Sequence, residues 1–454
     1  MFEREQIASR PLSRRDMLRS AGCGFGYLAL AGLCAQASVA GATDPLAAKA
    51  PPMPARAKRV IFLFMQGGPS HVDTFDYKPR LQQDNGKQGD RGKLLASPFA
   101  FTRHGKSGLW VSELFPEVAK HADELCVLNG MHTDNPAHPQ ATIQLHTGSA
   151  TFVRPSMGAW MLYGLGTMNQ DLPGFITINP PLGLGGAQNY GSAFLPASYQ
   201  GTRIDGGGAM ADIANPSVPR ALQRKQLDLM QAMNRDLERR SGAPDQVEGV
   251  IQSMELGFRM QSAVPELMDL TKESPATLEL YGLNSGNGSA FARQCLMARR
   301  FAQAGVRFIE VCHQGWDQHN NLRQKMTQNA KATDQAIAAL LTDLKNHGLL
   351  KDTLVVWGGE FGRTPTSQGN DGRNHNNRGY TMWMAGGGAK GGIAFGKTDE
   401  HGAQAVEDKV HTHDLHATIL ALMGLDHEKL TYRYAGRDFR LTDVHGNIVR
   451  QVMA

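Results

Sequence analysis

The sequence predicts an α/β fold in which a central, mostly parallel sheet is flanked by helices and carries helical and loop insertions. Short apolar runs bounded by glycine are the first observation, for example residues 354–357 ahead of Gly358-Gly359. Such runs are typical of strands that are covered on both faces. Stretches with helical periodicity, such as residues 328–346, separate these runs. A chain of 454 residues with 41% hydrophobic residues is long enough to bury a sizeable core.

Four of these apolar runs are predicted to be neighbouring strands of one sheet: residues 60–64, 306–311, 354–357 and 381–384. The helical stretches between them imply right-handed crossover connections. Residues 216–270 are helical and amphipathic, which predicts an inserted helical layer. We therefore expect a single α/β domain over residues 58–454, preceded by a linker at residues 43–57.

The first 42 residues are predicted to be a twin-arginine export signal. Arg14-Arg15 precedes a weakly apolar run rich in glycine and alanine, and small residues that suit cleavage follow at positions 35–40. Such a signal directs a folded protein to the twin-arginine export machinery, so we expect a periplasmic or extracellular protein. The apolar run is too short to span a membrane well, and no later segment reaches the necessary length.

Composition argues against two other classes of protein. The formal charge is +5, of which five arginines and three acidic residues in the first 40 positions contribute +2, and the remaining +3 does not indicate nucleic-acid binding. Of the five cysteines, Cys23 and Cys34 fall in the signal, which leaves Cys126, Cys295 and Cys312. An odd, widely spaced set does not indicate a disulfide framework, and we expect buried thiols with at most one bridge.

Acidic and imidazole side chains follow four of the predicted strands, at the point where each strand ends. In open α/β sheets ligands bind beyond the carboxyl ends of the strands, so these side chains are expected at one edge of the sheet. The candidate metal ligands are His71, Asp73, Asp317, His319, Glu360 and His375. Carboxylates with neutral imidazoles suit Zn²⁺, Mn²⁺ or iron, and carboxylates with water suit Mg²⁺ or Ca²⁺. We expect one or two divalent ions; the alternative is a hydrogen-bonded polar crevice without an ion.

Individual roles follow from the spacing and chemistry of these residues. Asp317 and His319 lie two positions apart, so in an extended segment they point to the same side and can share one ion. His138, in the loop after residues 125–128, is a candidate ligand or general base. Arg363 is the candidate for binding an anionic group, because a guanidinium holds such a group with two hydrogen bonds. A structural ion pair is the alternative for Arg363.

Four motifs resemble those of an exported bacterial family named domain of unknown function 1501. They are Gly67-Gly-Pro-Ser-His-Val-Asp-Thr-Phe-Asp76, Gly315-Trp-Asp-Gln-His319, Gly358-Gly-Glu-Phe-Gly-Arg-Thr-Pro365 and His413-Asp-Leu-His-Ala-Thr-Ile-Leu420. The resemblance covers nearly the whole chain after the signal. It implies the alkaline-phosphatase-like fold of the alkaline phosphatase and sulfatase superfamily, whose enzymes use one or two metal ions to hydrolyse phosphate or sulfate esters.

The chain differs from that superfamily at the nucleophile. The superfamily places a Ser, a Thr or a modified Cys upstream of a Thr-Gly pair, whereas this chain has His138 ahead of Thr147-Gly148. Two functions therefore stay open. The first is a periplasmic metal-dependent hydrolase of phosphate or sulfate esters, with an anionic ester or a sulfated polysaccharide as substrate. The second is a non-catalytic or accessory protein on the same fold that binds polysaccharide or a partner protein.

The export signal can be tested directly. Replacing both Arg14 and Arg15 with lysine is expected to leave the precursor in the cytoplasm, because the arginine pair is the feature that the twin-arginine route recognises. Fractionation of cells that express the tagged full chain measures the distribution. Unchanged export of the double variant, beside normal export of a matched Arg4→Lys variant, would contradict the twin-arginine assignment.

Overall fold

A computed structural model describes residues 44–454 except positions 91, 209, 211–212, 214–216, 242–243 and 285–288, and the predicted export signal lies outside them. Leu46–Ala454 form one compact unit, which begins earlier than the predicted boundary at residue 58. Leu46 and Ala57 are buried in its core, and the backbone N–H of Ala57 donates to the carbonyl of Leu422. Most of the predicted linker is therefore a docked part of the domain.

A sheet of nine strands, counted over the described residues, forms the centre of this unit. Its strands are β1 (Arg59–Met65), β2 (Leu125–His132), β3 (Phe175–Ile178), β4 (Thr202–Ile204), β5 (Phe308–His313), β6 (Thr353–Gly358), β7 (Tyr380–Ala385), β8 (Ile393–Phe395) and β9 (Val410–His411). Their order across the sheet is β8-β2-β7-β6-β1-β5-β3-β4, and β9 pairs with β2. Every pairing is parallel except the two that β7 makes, with β6 and β2. The prediction of a mostly parallel sheet is confirmed.

The four strands predicted to be neighbours are β7, β6, β1 and β5, which are adjacent in this order. The expected crossover between β6 and β7 is wrong, because β7 runs antiparallel to β6. Between these two strands the chain forms a hairpin, Gly362–Gln368 paired with Gly372–Asn376, instead of a helix that would return it for a parallel pairing. We call this element the site hairpin. It follows the carboxyl end of β6, which is next to the carboxyl end of β1.

Helices flank the sheet, and most of them lie in the segments that connect its strands. Over the described residues they are α1 (Pro79–Gln83), α2 (His138–Thr147), α3 (Met157–Leu165), α4 (Arg220–Ser241), α5 (Pro244–Met268), α6 (Pro275–Leu280), α7 (Ala290–Gln303), α8 (Leu322–Asn346) and α9 (Thr412–Leu422). The segment predicted as a helical insertion contains α4 and α5, which are joined by an ion pair between Arg224 and Glu255. Small two-stranded hairpins are Gln88–Gly89 with Gly92–Lys93, Phe101–His104 with Leu109–Ser112, Lys397–Thr398 with Ala405–Glu407, and Tyr432–Tyr434 with Arg437–Phe439.

Burial explains why the apolar runs become strands. Every residue of β1 and of β6 is buried, as expected for strands covered on both faces. Cys126, Cys295 and Cys312 are buried free thiols. No helix in the described part of the chain combines the length and the apolar character that crossing a membrane requires.

A buried ion pair joins α2 to β5, the elements that lead to His138 and Asp317. His146 Nε2 lies 3.1 Å from Glu310 Oε2, and both side chains are almost fully buried. His146 Nδ1 faces the Thr142 carbonyl at 2.7 Å. Burial alone lowers the pKa of His146, but the carboxylate of Glu310 and the carbonyl of Thr142 together outweigh burial and raise it. The fold therefore favours the protonated ring over the neutral one.

We expect the pair of His146 and Glu310 to stabilise the fold most below about pH 6.5, the unfolded pKa of histidine. A group whose pKa is raised by folding contributes stability that is lost as the pH rises through its folded pKa. Glu310→Gln should therefore lower the free energy of unfolding by on the order of 3 kcal/mol at acidic pH, and by less at alkaline pH. Urea unfolding at about pH 6 and about pH 9 measures the difference.

Thr177→Val is the matched control, because it removes a hydroxyl hydrogen bond to Glu310 of 3.3 Å without removing a charge. The cost of this substitution should be the same at both pH values. If Glu310→Gln also lowers the free energy of unfolding by the same amount at both pH values, the interaction between His146 and Glu310 does not depend on protonation.

Candidate metal centre

Four side chains from three separate segments converge beyond the carboxyl ends of the central strands. His138 is the first residue of α2, Asp317 and His319 follow β5, and His375 lies on the site hairpin. One possible ligand atom from each residue lies within 4.8 Å of the other three. We call this group the four-residue cluster, and it is the one group of its kind that the described part of the chain contains.

Three imidazole nitrogens surround one oxygen of Asp317. The distance from Oδ1 is 2.8 Å to His319 Nε2, 3.3 Å to His138 Nε2 and 3.4 Å to His375 Nε2. His319 Nε2 and His375 Nε2 are 2.9 Å apart. Ligands that lie about 2.0–2.1 Å from a tetrahedral zinc ion are about 3.3 Å from each other. These four separations are close to that value, and the whole group of ligand atoms lies within 4.8 Å.

The outer nitrogen of each histidine faces its own oxygen partner. The Nδ1 atom of His138 lies 2.6 Å from an oxygen of Glu360, that of His319 lies 2.5 Å from the side-chain oxygen of Gln368, and that of His375 lies 2.6 Å from the Pro136 carbonyl oxygen. Each Nδ1 must carry a hydrogen to donate, which leaves a lone pair on Nε2 when the ring is neutral. Metal-binding histidines are oriented by outer acceptors in this way. Three lone pairs and a carboxylate oxygen at one point repel one another unless positive charge lies between them.

Glu360 fixes the position of His138. Its carboxylate is fully buried and accepts the N–H of Gly67, at 3.0 Å from Oε1 and 3.2 Å from Oε2, in addition to His138 Nδ1. Gly67 has φ +115°, and a Cβ there would lie 2.6 Å from the backbone nitrogen of Asp317. Glycine is required for this approach of the loop after β1. The structure thus places Glu360, predicted as a ligand, behind His138 as its hydrogen-bond partner.

Arg363 neutralises Asp317 and is closed to solvent. Its side chain is fully buried, and its guanidinium donates to Asp317 Oδ1. Its remaining acceptors are the carbonyls of Gly67, Gly68 and Arg373. Burial alone would raise the pKa of Asp317, but the nearby rings of His138 and His375 and the guanidinium of Arg363 together hold it well below its usual range. The guanidinium predicted to bind an anionic group is therefore occupied by groups of the protein.

The same contacts act on His138. Burial lowers its pKa, but the carboxylates of Asp317 and Glu360 together outweigh burial and raise the pKa of His138 to about 9. Although Asp317 Oδ1 is 3.3 Å away, His138 Nε2 is buried and makes no hydrogen bond of suitable geometry with the described residues. The two carboxylates stabilise positive charge at this point, whether a proton or a metal ion supplies it.

His71 and Asp73, two further predicted ligands, lie outside the four-residue cluster. Both are buried in the short turn that follows β1. Asp73 forms an ion pair with Arg373, in which Arg373 Nε lies 2.7 Å from Asp73 Oδ2, and it accepts a hydrogen bond from the Ser70 hydroxyl. His71 Nε2 lies 2.8 Å from the Gly402 carbonyl. Because the guanidinium of Arg373 already balances the charge of Asp73, this turn does not offer a free carboxylate to an ion.

The four-residue cluster is open on one side. The side chains of Asp317 and His319 are 41% and 32% exposed, whereas His138 is 14% exposed. Water and a ligand therefore reach the cluster past Asp317 and His319.

Three supporting groups were not found by sequence reasoning: Phe361, Gln368 and the Pro136 carbonyl. The ring of Phe361 packs against the rings of His138 and His375, with centroids 4.8 and 4.7 Å apart. The only sequence feature that pointed to Phe361 is its position directly after Glu360, a predicted ligand. Gln368 and Pro136 lie in exposed connections, where no periodic pattern shows which group faces which.

Several solved structures are similar to this chain. They include the lipoteichoic acid synthase LtaP from Listeria monocytogenes (10% identity, TM-score 0.39, covering 88% of this chain and 79% of that one), the PsFucS1 sulfatase from Pseudoalteromonas sp. (13%, 0.36, 82% and 68%) and the alkaline phosphatase from the Antarctic bacterium TAB5 (10%, 0.32, 83% and 99%). Each of these likenesses is distant, with an identity of 13% or less and a TM-score of 0.39 or less.

No curated protein matches the chain. The family model described as "Protein of unknown function (DUF1501)" matches residues 57–453, which include the whole sheet, the four-residue cluster and the four motifs that carried the resemblance. The protein therefore belongs to the DUF1501 family.

Proposed function

We propose that this protein is a metal-dependent hydrolase of anionic esters, with phosphate and sulfate esters as the substrate classes. The proposal depends on the convergence of three Nε2 atoms and Asp317 Oδ1, with each ring held from behind by its own acceptor. The open side next to Asp317 and His319 gives water and an ester access to these atoms.

The residues present fit one divalent cation. His138, His319, His375 and Asp317 would hold it, and His138 Nε2 is a buried nitrogen that lacks a hydrogen bond. Three imidazoles and one carboxylate suit zinc or manganese better than magnesium or calcium, which prefer oxygen ligands. When bound, such an ion polarises an ester oxygen and lowers the pKa of a water molecule.

The charges around the cluster favour an anionic substrate. In the metal-bound state, in which histidine ligands are neutral, the charges of Asp317, Glu360 and Arg363 sum to −1 before the ion is counted. A divalent cation would change this sum to +1, next to the open side of the cluster. A phosphate or sulfate group is attracted to that side by the net positive charge.

The side chains of the protein supply orientation. Glu360 holds His138 in the tautomer that carries hydrogen on Nδ1, and Arg363 keeps Asp317 ionised. Phe361 covers the rings of His138 and His375 and keeps water from that side. Because His138 stands where the superfamily has its nucleophile, we propose a water molecule as the attacking group, without a covalent enzyme intermediate.

We further propose that the hydrolase works in the periplasm or outside the cell after export through the twin-arginine route. Arg14-Arg15 ahead of a weakly apolar run supports this location. The route carries folded proteins, so a cation captured in the cytoplasm would be exported with the protein. Sulfated polysaccharides and other anionic esters outside the cytoplasm are the substrates that this location favours.

Protein purified without chelator is expected to contain about one equivalent of a divalent transition metal. His375→Ala removes one ligand and Asp317→Asn replaces a carboxylate ligand with a neutral amide, so both should lower the metal content and the rise in melting temperature that added Zn²⁺ causes. Elemental analysis and thermal unfolding with and without Zn²⁺ measure these effects. The matched control is His347→Ala, because this histidine lies at the far end of α8, about 36 Å along the helix from its first residue.

The wild-type protein should also hydrolyse at least one of a panel of phosphate, sulfate and phosphonate esters, with activity lost in Asp317→Asn. Stoichiometric metal without turnover of any ester would support the accessory binding protein instead. Absence of metal from the wild type, or unchanged metal content in both ligand variants, would contradict the metal centre itself.

Glu360→Gln tests the group behind His138. Glutamine keeps the size of the side chain and an oxygen for His138 Nδ1–H, but it loses the charge and the second oxygen that faces the N–H of Gly67. We expect metal affinity to fall roughly 10- to 100-fold, as for other outer partners of metal-binding histidines. Competition with a chelating dye measures the affinity, and Glu400→Gln on the surface is the control. Wild-type affinity in Glu360→Gln would show that the carboxylate serves the fold alone.

A further inference from the structure

Exposed aromatic rings form a second feature of this protein, outside the four-residue cluster. Phe194 stacks on Tyr434, with ring centroids 5.0 Å and planes 15° apart, and contacts Phe439 at 5.1 Å. Phe152 and Tyr434 are 63% and 50% exposed. We call Phe152, Phe194, Tyr434 and Phe439 the aromatic patch. Phe194 and Phe439 are half-buried against the core, and a contiguous group of apolar side chains that stays in contact with solvent marks a binding surface more often than scattered single residues do.

A hairpin near the carboxyl terminus presents one aromatic face. Tyr432 lies opposite Phe439, and Tyr434 lies opposite Arg437. Alternate residues of paired strands point to the same side, so these four side chains share one face. The pattern Tyr-x-Tyr on one strand and Arg-x-Phe on the other therefore builds the surface, and Phe194 and Phe152 extend it from two other segments.

Two guanidinium groups lie over the aromatic patch. Arg154 Cζ is 4.1 Å from the ring centroid of Phe439 and 5.3 Å from that of Phe152, and Arg437 Cζ is 4.8 Å from that of Phe439. Arg437 is paired with Asp443. Arg154 forms neither a hydrogen bond nor an ion pair with the described residues, so its N–H groups are available to a ligand. The patch thus combines aromatic rings with a guanidinium that makes no direct ion pair with the described residues, while Asp443, the partner of Arg437, is the acidic group that acts on Arg154 from nearby.

We propose that the aromatic patch binds an anionic polysaccharide. The apolar faces of sugar rings pack on exposed aromatic rings such as Tyr434 and Phe152, while the planar guanidinium of Arg154 holds a sulfate or carboxylate with two hydrogen bonds. An apolar protein partner fits this surface less well, because it would remove Arg154 from water without supplying an anion. Polysaccharide binding at the patch does not depend on ester hydrolysis.

Helix α2 connects the aromatic patch with the four-residue cluster. From His138 to Thr147 the helix rises about 14 Å, and the five residues that follow, up to Phe152, add at most about 17 Å. The patch is therefore within about 30 Å of the cluster. A polymer of several sugar units is long enough to reach from one place to the other, whereas a small ester is not.

Affinity electrophoresis and calorimetry with dextran sulfate test the proposal, with uncharged dextran as the matched polymer. The wild-type protein should bind dextran sulfate, and Tyr434→Ala and Arg154→Gln should each weaken this binding about tenfold, with uncharged dextran binding more weakly throughout. Leu229→Ala on α4 and Arg293→Gln on α7 remove exposed side chains of the same kinds elsewhere and should leave the affinity unchanged.

Tyr434→Ala should weaken dextran sulfate binding by the same factor in the wild type and in an Asp317→Asn background, which distinguishes this surface from the proposed hydrolase site. Three results would overturn the proposal. One is a wild-type protein that does not bind dextran sulfate, and another is equal weakening by Arg293→Gln, which would mean attraction by dispersed charge. The third is a wild-type dimer that Tyr434→Ala converts to a monomer, since the patch would then be a contact between copies of this chain.

Discussion

The buried carboxylate of Glu360 constrains the arrangement of the whole site. A carboxylate without access to water needs hydrogen-bond donors, because an unpaired buried charge is strongly destabilising. Its donors come from two other segments: the N–H of Gly67 on the loop after β1, and the ring of His138 at the start of α2. These hydrogen bonds connect the carboxyl end of β6 to the loop after β1 and to the start of α2. The orientation of His138, and with it the inward direction of Nε2, follows from this interaction.

The two arginines of the site hairpin decide which carboxylate is available. Arg373 pairs with Asp73, and both side chains are fully buried. Arg363 pairs with Asp317, whose side chain remains 41% exposed and faces the histidines. Arg363 lies opposite His375 in the hairpin, so one element supplies both a candidate ligand and the charge that neutralises its carboxylate neighbour. A slip of the hairpin by one residue would turn these side chains to the other face.

Helix α2 relates the two proposed binding places. Its first residue, His138, belongs to the four-residue cluster, and the loop after its last turn carries Phe152 and Arg154 of the patch region. Between them, His146 anchors the helix to β5 through Glu310. A polymer held at the patch would therefore meet a cluster whose distance is set by a rigid, anchored helix. This division would separate recognition of the polymer from chemistry on its ester groups.

The sequence alone determined the four central strands, the sheet edge at which polar side chains collect, and the family. Each of these depends on local pattern: a run such as β6 is apolar throughout, and a buried strand must be followed by a loop at the edge of the sheet. The same pattern does not distinguish Asp73 from Asp317, since both follow a central strand by a few residues. Only the tertiary structure decided that Asp73 is paired with Arg373, that Glu360 stands behind His138, and that Gln368 supports His319. The reason is physical: these outcomes depend on distances between side chains far apart in sequence, which the packing of the complete fold sets.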